Sequence, residues 1–95
     1  MKVVLDPRAI ADLEHIHDFI AVDSPATAAA VVERILASIE RLGEFPSMAR
    51  SGPTEGTREW VIPRLPYIAV YKVDVERDVI TVVAVFHGAQ RRDDE

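Results

Sequence analysis

Apolar residues recur at helical spacing near the start of the chain. They occupy positions 10, 13, 16 and 20, three or four residues apart, and form one stripe. The preceding pair Asp6-Pro7 is typical of a helix start, because Asp6 can accept a hydrogen bond from an exposed amide and proline is tolerated at the first helical position. We predict a helix from about Pro7 to about Ala21. Three acids, Asp12, Glu14 and Asp18, are expected on its solvated side.

A second, broader apolar stripe runs from Ala28 to Leu42 and follows a similar start signal, Ser24-Pro25. Gly43 is placed to close this helix in the left-handed conformation, and Phe45-Pro46 prevents its continuation. Since only residues 22–24 join the two predicted helices, they must form an antiparallel hairpin.

The remaining apolar runs have the character of strands. They are Lys2–Leu5, 58–62, 67–73 and 79–86, while residues 46–57 are rich in Pro, Gly and Ser and read as a surface loop. The predicted order is β-α-α-β-β-β in a single α+β domain spanning 1–95. The helix hairpin should pack on one face of a small twisted antiparallel sheet, leaving the other face to solvent or a partner. The nearly uninterrupted apolar run 79–86 indicates a strand that is either buried on both faces or central in the sheet.

The composition of the chain narrows the classes of protein to which it can belong. The net charge of −5 argues against a general nucleic-acid binder, although residues 58–92 carry six basic and four acidic side chains. The chain has no cysteine, which fits a reducing compartment, and no apolar run approaches the length of a membrane span. We therefore expect a cytoplasmic protein without membrane contact.

Cationic and aromatic side chains fall within or beside the predicted strands. An arginine next to an aromatic ring on an open sheet face can bind phosphate and stack a base, but an exposed basic residue is more often simply solvated. His87 could transfer a proton near neutral pH, or it could end its strand by bonding nearby backbone. His15 and His17 are two residues apart and point to different faces of a helix, so we assign no metal and no cofactor.

Residues 56–91 show a recognisable arrangement. Arg58 precedes a short strand, Pro66-Tyr67 leads a strand that ends Tyr-Lys-Val, and the last strand runs into His-Gly-Ala-x-Arg from His87 to Arg91. In this order and spacing, the segment resembles the C-terminal half of RelE/ParE toxins. The N-terminal hairpin fits the same pattern, so the resemblance covers nearly the whole chain.

The resemblance implies the toxin of a type II toxin–antitoxin system. It also implies a cognate antitoxin that wraps the toxin with an extended, partly helical segment, in a toxin–antitoxin hetero-oligomer. We expect antitoxin contact in the groove of the helix hairpin, at Ile16, Ile20, Val31 and Ile35.

Two activities divide the family. RelE-like members cleave mRNA in the ribosomal A site, and in that case Arg58, Arg64, His87 and Arg91 are the expected catalytic residues. ParE-like members poison DNA gyrase and are not nucleases. The dense Lys/Arg cluster of the nucleases is missing here, and three acids stand where a catalytic tyrosine would end the chain.

These differences favour the ParE-like activity. The residues expected to contact the target are Arg58, Trp60, Arg64, His87 and Arg91. Arg91→Glu should weaken toxicity without unfolding the chain. An inactive binding module is the third hypothesis.

Overall fold

A computed structural model describes residues 1–46, 50–52 and 56–90. Its elements are β1 (Lys2–Leu5), α1 (Pro7–Ala21), α2 (Pro25–Arg41), β2 (Arg50–Ser51), β3 (Thr57–Val61), β4 (Tyr67–Asp74), β5 (Val79–His87) and a 3-10 turn (Gly88–Gln90). The predicted order of helices and strands is confirmed. The short strand β2 is an addition, within the segment that we predicted to be a loop.

The start of α2 follows the sequence prediction, whereas the start of α1 does so only in part. The Ser24 hydroxyl accepts a 3.2 Å hydrogen bond from the Thr27 N–H, as a capping residue should. Asp6 occupies the corresponding position before α1, but its side chain makes no capping bond. Pro7 therefore carries the start signal, since its fixed φ suits a first helical residue and it has no N–H to satisfy.

Gly43 is required for a reason other than the one we predicted. Of the described glycines, only Gly56 has a positive φ, so Gly43 does not close α2 in the left-handed conformation. Instead, the chain approaches closely at this point: a Cβ on Gly43 would lie 2.5 Å from the Met1 carbonyl oxygen. The Met1 nitrogen also donates a 2.8 Å hydrogen bond to the Gly43 carbonyl. The end of α2 is thus held against the start of β1.

The sheet has the strand order β1-β5-β4-β3-β2 and is mixed. Its β2-β3, β3-β4 and β4-β5 pairs are antiparallel, but β1 pairs in parallel with β5, from Lys2 opposite Val79 to Leu5 opposite Val82. The wholly antiparallel sheet that we predicted is therefore wrong for this one pair. Helix α2 returns the chain to the end where β1 began, so β3 starts there. After two reversals, from β3 to β4 and from β4 to β5, β5 runs in the same direction as β1.

The core lies between the helix hairpin and one face of the sheet. Its largest fully buried side chains include Ile35, Ile39 and Leu42 on the helical side and Tyr71 and Ile80 on the sheet. The central position predicted for the last strand is confirmed, because β5 has β1 on one side and β4 on the other. Within the described part of the chain, neither helix is long and apolar enough to cross a membrane.

Candidate functional site

A cleft of about 570 Å³ opens between helix α1 and the C-terminal part of β5. We call it the α1–β5 cleft, and it is lined by Arg8, Asp12, His15, Ile16, Phe19, Tyr67, Ala84, Val85, Phe86 and His87. It joins basic, aromatic and aliphatic side chains in one place. Apolar walls with a few polar groups are typical of binding sites for partners or ligands.

The cleft exists because β1 is shorter than β5. Strand β1 ends at Leu5, opposite Val82, whereas β5 continues to His87. Helix α1 follows directly after β1 and runs beside this extension. Its cleft-lining residues Asp12, Ile16 and Phe19 are spaced by four and three, so they lie on one helical face. The Phe19 side chain is 80% exposed, which is unusual for so large an apolar group.

Asp12 joins the helix to the strand. Its Oδ2 accepts a 2.9 Å hydrogen bond from the main-chain N–H of Val85, in partly buried surroundings. We expected Asp12 to be a solvated acidic residue like Glu14 and Asp18, and that expectation was wrong. Its spacing of four residues from Ile16, which belongs to the apolar stripe, is the sequence signal that could have placed it on the inner side of the helix.

His87 and Tyr67 form the inner end of the cleft. Their rings are 5.4 Å apart and nearly perpendicular, at 82°, the edge-to-face arrangement that aromatic rings favour. The His87 Nδ1 accepts a 2.9 Å hydrogen bond from the Ala89 N–H. A neutral His87 ring therefore carries its proton on Nε2, where it acts as a donor. His87 is thus oriented by its own backbone, one of the two roles weighed from the sequence.

Arg64 lies at the same end of the sheet, in the turn between β3 and β4. The turn is closed by a 2.9 Å hydrogen bond from the Ile62 N–H to the Tyr67 carbonyl. Arg64 is exposed and has a φ of 67°, a left-handed conformation that costs energy for a residue with a Cβ. The turn therefore places Arg64 at the sheet end where β4 begins with Tyr67.

Arg58 lies farther along the sheet, away from the end that carries His87. Its Cα pairs with that of Tyr71, whereas His87 pairs with Tyr67, four residues away along β4. At about 3.3 Å per residue, this is a separation of roughly 13 Å along the strand. Arg58 is grouped instead with Met1, Pro46 and Val75 in another depression.

Trp60 also faces the helices. It is opposite Ala69 in the register, and its Nε1 donates a 2.8 Å hydrogen bond to the Ser38 hydroxyl on α2. The structure therefore does not gather the predicted target-contact residues on one surface. Arg64 and His87 lie at the same end of the sheet, Arg58 and Trp60 lie elsewhere, and Arg91 is outside the described residues.

The four residues predicted to contact the antitoxin differ in how deeply they are buried. Ile35 is 0% exposed in the core, because it faces the sheet and not the outside of the hairpin, so the structure corrects its placement in a groove. Ile16 and Val31 are partly buried against the core, and Ile20 is partly exposed. Their role in binding an antitoxin stays a prediction.

A groove does lie between the two helices, but the residues that line it are not the four predicted from the sequence. Its apolar lining includes Ile10, Val32 and Leu36, and its rim includes Glu14 and Asp18. Ile10 is 44% exposed and Leu36 is 39% exposed. The signal was present in the sequence, since the stripe on α2 is broader than one face of a small sheet can cover.

Two comparisons with known protein sequences both indicate a toxin. The family described as "ParE toxin of type II toxin-antitoxin system, parDE" matches residues 3–92. A curated protein of Sinorhizobium fredii, named "Putative toxin Y4kP", is 37% identical over 76 residues, which are 80% of this chain and 79% of that protein.

Solved structures share the fold. The chain resembles one from the chromosomal ParDE system of P. aeruginosa with a TM-score of 0.77 and 23% identity, covering 92% of this chain and 95% of that one. It also resembles a chain of the intact E. coli RelBE toxin–antitoxin complex, with a TM-score of 0.67 and 20% identity, covering 95% and 98% respectively.

Proposed function

The chain belongs to the family of ParE toxins of type II toxin–antitoxin systems, and from this premise we propose that it inhibits growth by poisoning DNA gyrase. In this proposal a cognate antitoxin neutralises it in a hetero-oligomeric complex. Gyrase works in the cytoplasm, which is therefore the proposed location. The protein acts by binding its target and is not itself a nuclease.

The observation that carries the choice of gyrase is the separation of Arg58 from His87. Cleavage of RNA requires cationic and proton-transferring side chains around one phosphate. Here Arg58 lies beside Tyr71 and His87 beside Tyr67, so their backbones are four residues, or roughly 13 Å, apart along β4. The net charge of −5 also works against approach to ribosomal RNA. Both features suit a protein target better than an RNA target.

The alternative function is ribosome-dependent cleavage of mRNA. It is favoured by one observation: the oriented imidazole of His87, the ring of Tyr67 and the turn that carries Arg64 are all at one end of the sheet. An imidazole with a fixed Nε2–H donor can bind a phosphate oxygen of the RNA and stabilise the charge that develops on it. The partners would then be the ribosome and its bound mRNA.

Two assays on purified protein distinguish these functions. We expect inhibition of gyrase-catalysed supercoiling, and no new 5′ ends in primer extension on mRNA translated in the presence of the protein. Codon-specific cuts that disappear in His87→Ala would overturn the gyrase proposal. Glu33→Ala, on an exposed part of α2, is the matched control that should behave as wild type.

Expression in a bacterial host tests the toxin role itself. We expect growth arrest on induction, and relief of that arrest when the adjacent gene is expressed together with it. An inactive binding module would cause no arrest at all, and that outcome would reject both candidate targets.

A further inference from the structure

Two of the three most exposed large apolar side chains in the described part of the chain lie at the end of helix α1. Phe19 is 80% exposed and Val22 is 83% exposed. The backbone stays helical through Val22, so these residues, three positions apart, are neighbours on one helical face. Burial of this pair against another molecule would stabilise a complex, because the free protein leaves both side chains in water.

The end of α1 lies at the same end of the molecule as Tyr67 and His87. The Asp12 carboxylate near the middle of α1 accepts the Val85 N–H, two residues before the end of β5. Farther along the same helix, Phe19 lines the α1–β5 cleft together with Tyr67 and His87. The exposed apolar pair is therefore on the side of the molecule where β5 ends.

Arg64 is exposed at this sheet end, in a turn with a restricted backbone. Pro63 and Pro66 limit the conformations on either side of it. The Gly88 N–H donates a 2.6 Å hydrogen bond to the Pro66 carbonyl, which fastens the turn to the end of β5. A side chain carried on a rigid backbone loses less conformational entropy when it binds a partner.

The backbone conformation of Arg64 indicates a function for its side chain. Of the described residues other than glycine, only Arg64 and Asp78 have a positive φ, 67° and 59° respectively. Aspartate adopts this conformation readily in turns, whereas arginine does so at a steric cost that glycine would avoid. Strained residues of this kind are concentrated at functional sites.

We propose that Phe19, Val22 and Arg64 form one surface that contacts gyrase, and that the gyrase surface they bind carries an acidic side chain beside an apolar recess. We call these three residues the Phe19–Arg64 surface. The inference rests on the proposed function, because it names the surface through which that target is recognised. Arginine and aromatic side chains dominate the binding energy of protein interfaces.

Charge supports an acidic partner. Within residues 1–46, 50–52 and 56–90, the Arg64 guanidinium makes no hydrogen bond or ion pair. A carboxylate on the partner would therefore gain an ion pair without displacing one inside the toxin. Arginine also offers two parallel N–H donors to a carboxylate, which adds specificity to the contact.

The shape of the Phe19–Arg64 surface suits a folded protein better than a peptide segment. Among the described residues, Val22 and Arg64 belong to the lining of neither the α1–β5 cleft nor the groove between the helices. A segment lying in either depression would leave both residues exposed. The face of a large target, at about 800 Å² per partner, is wide enough to cover the helix end and the turn together.

The test compares purified variants for inhibition of gyrase-catalysed supercoiling. Arg64→Glu and Phe19→Ala should each raise the half-inhibitory concentration about tenfold or more, and Val22→Ser should raise it about threefold. The matched controls lie in the turn after β4, at its other end. Arg77→Glu reverses a charge on a side chain that is 83% exposed, and Val75→Ser removes an apolar side chain that is 77% exposed. Both controls should inhibit like wild type.

Antitoxin binding shows whether a variant has lost one contact or its fold. Arg64→Glu and Val22→Ser should bind the protein encoded by the adjacent gene as tightly as wild type, in calorimetric titrations with a partner already shown to relieve growth arrest. Circular dichroism checks that each variant is folded. Weakened antitoxin binding with unchanged inhibition of gyrase would assign the surface to the antitoxin and reject the inference.

Other results would also reject it. Inhibition at the wild-type level by both Arg64→Glu and Phe19→Ala would do so while leaving the gyrase function in place, and an equal loss in Arg77→Glu would show that only overall charge matters. A wild-type dimer that Phe19→Ala converts to a monomer in sedimentation velocity, with inhibition unchanged, would mean that a second copy covers the surface. No inhibition by the wild-type protein would reject the gyrase function, and this inference with it.

Discussion

The indole Nε1 of Trp60 donates a 2.8 Å hydrogen bond to the hydroxyl of Ser38, which joins strand β3 to helix α2. Ser38 is buried and Trp60 is partly buried, so neither group can exchange this bond for water without a cost. The protein has one tryptophan, and it therefore reports directly on the contact between the helix hairpin and the sheet.

Ser38→Ala should lower the free energy of unfolding by about 1–2 kcal/mol, because the indole N–H loses its acceptor in a partly buried place. Urea denaturation followed by tryptophan fluorescence measures the change. In a Trp60→Phe background the same substitution should lower the free energy of unfolding much less, and circular dichroism can follow the denaturation there. An equal cost in both backgrounds would mean that the hydrogen bond is not the cause.

Gly43→Ala should destabilise the fold by about 1–3 kcal/mol, because the new Cβ would lie 2.5 Å from the Met1 carbonyl oxygen and the backbone would have to move. Gly88→Ala is the matched control, since its Cβ would have only ordinary contacts, the nearest at 3.5 Å to the Pro66 carbonyl oxygen. Thermal denaturation compares the two variants. Similar melting temperatures would contradict the close approach at Gly43.

Arg64→Gly should raise the free energy of unfolding by about 0.5–1 kcal/mol, because glycine adopts a positive φ without the penalty that arginine has at 67°. Arg64→Ala removes the same charge but keeps the penalty, so it should leave stability nearly unchanged. If the guanidinium contacts the target, both variants should be less toxic in an induced-growth assay. Full toxicity in both would remove Arg64 from the target-contact residues.

Ile35→Ala should lower the free energy of unfolding by about 2–5 kcal/mol. The Ile35 side chain has no exposed surface, so its truncation leaves a cavity in the core. Ile10→Ala, at a residue that is 44% exposed, should cost less than about 1 kcal/mol. Chemical denaturation of the two variants provides the comparison. A small loss at Ile35 would show that it is not a core residue, and would restore it as a candidate for antitoxin contact.

Patterns among neighbouring residues were sufficient to predict the helices and strands and their order along the chain. The three- and four-residue spacing of apolar side chains placed α1 and α2, and Ser24 acts as the predicted cap. These features depend on neighbours within a few residues, so the sequence contains the information needed to read them. The same holds for the family resemblance, which rested on the order of short motifs in 56–91.

Tertiary structure decided the relationships between residues distant in the chain. The parallel pairing of β1 with β5 depends on the end of the sheet to which α2 returns the chain. The bond from Val85 to Asp12 spans 73 positions, and no local pattern encodes it. Arg58 and His87 looked like parts of one cationic site, because spacing along the sequence does not reveal strand register. The register placed them four residues apart along β4, beside Tyr71 and Tyr67 respectively, and our proposal of gyrase as the target rests on that separation.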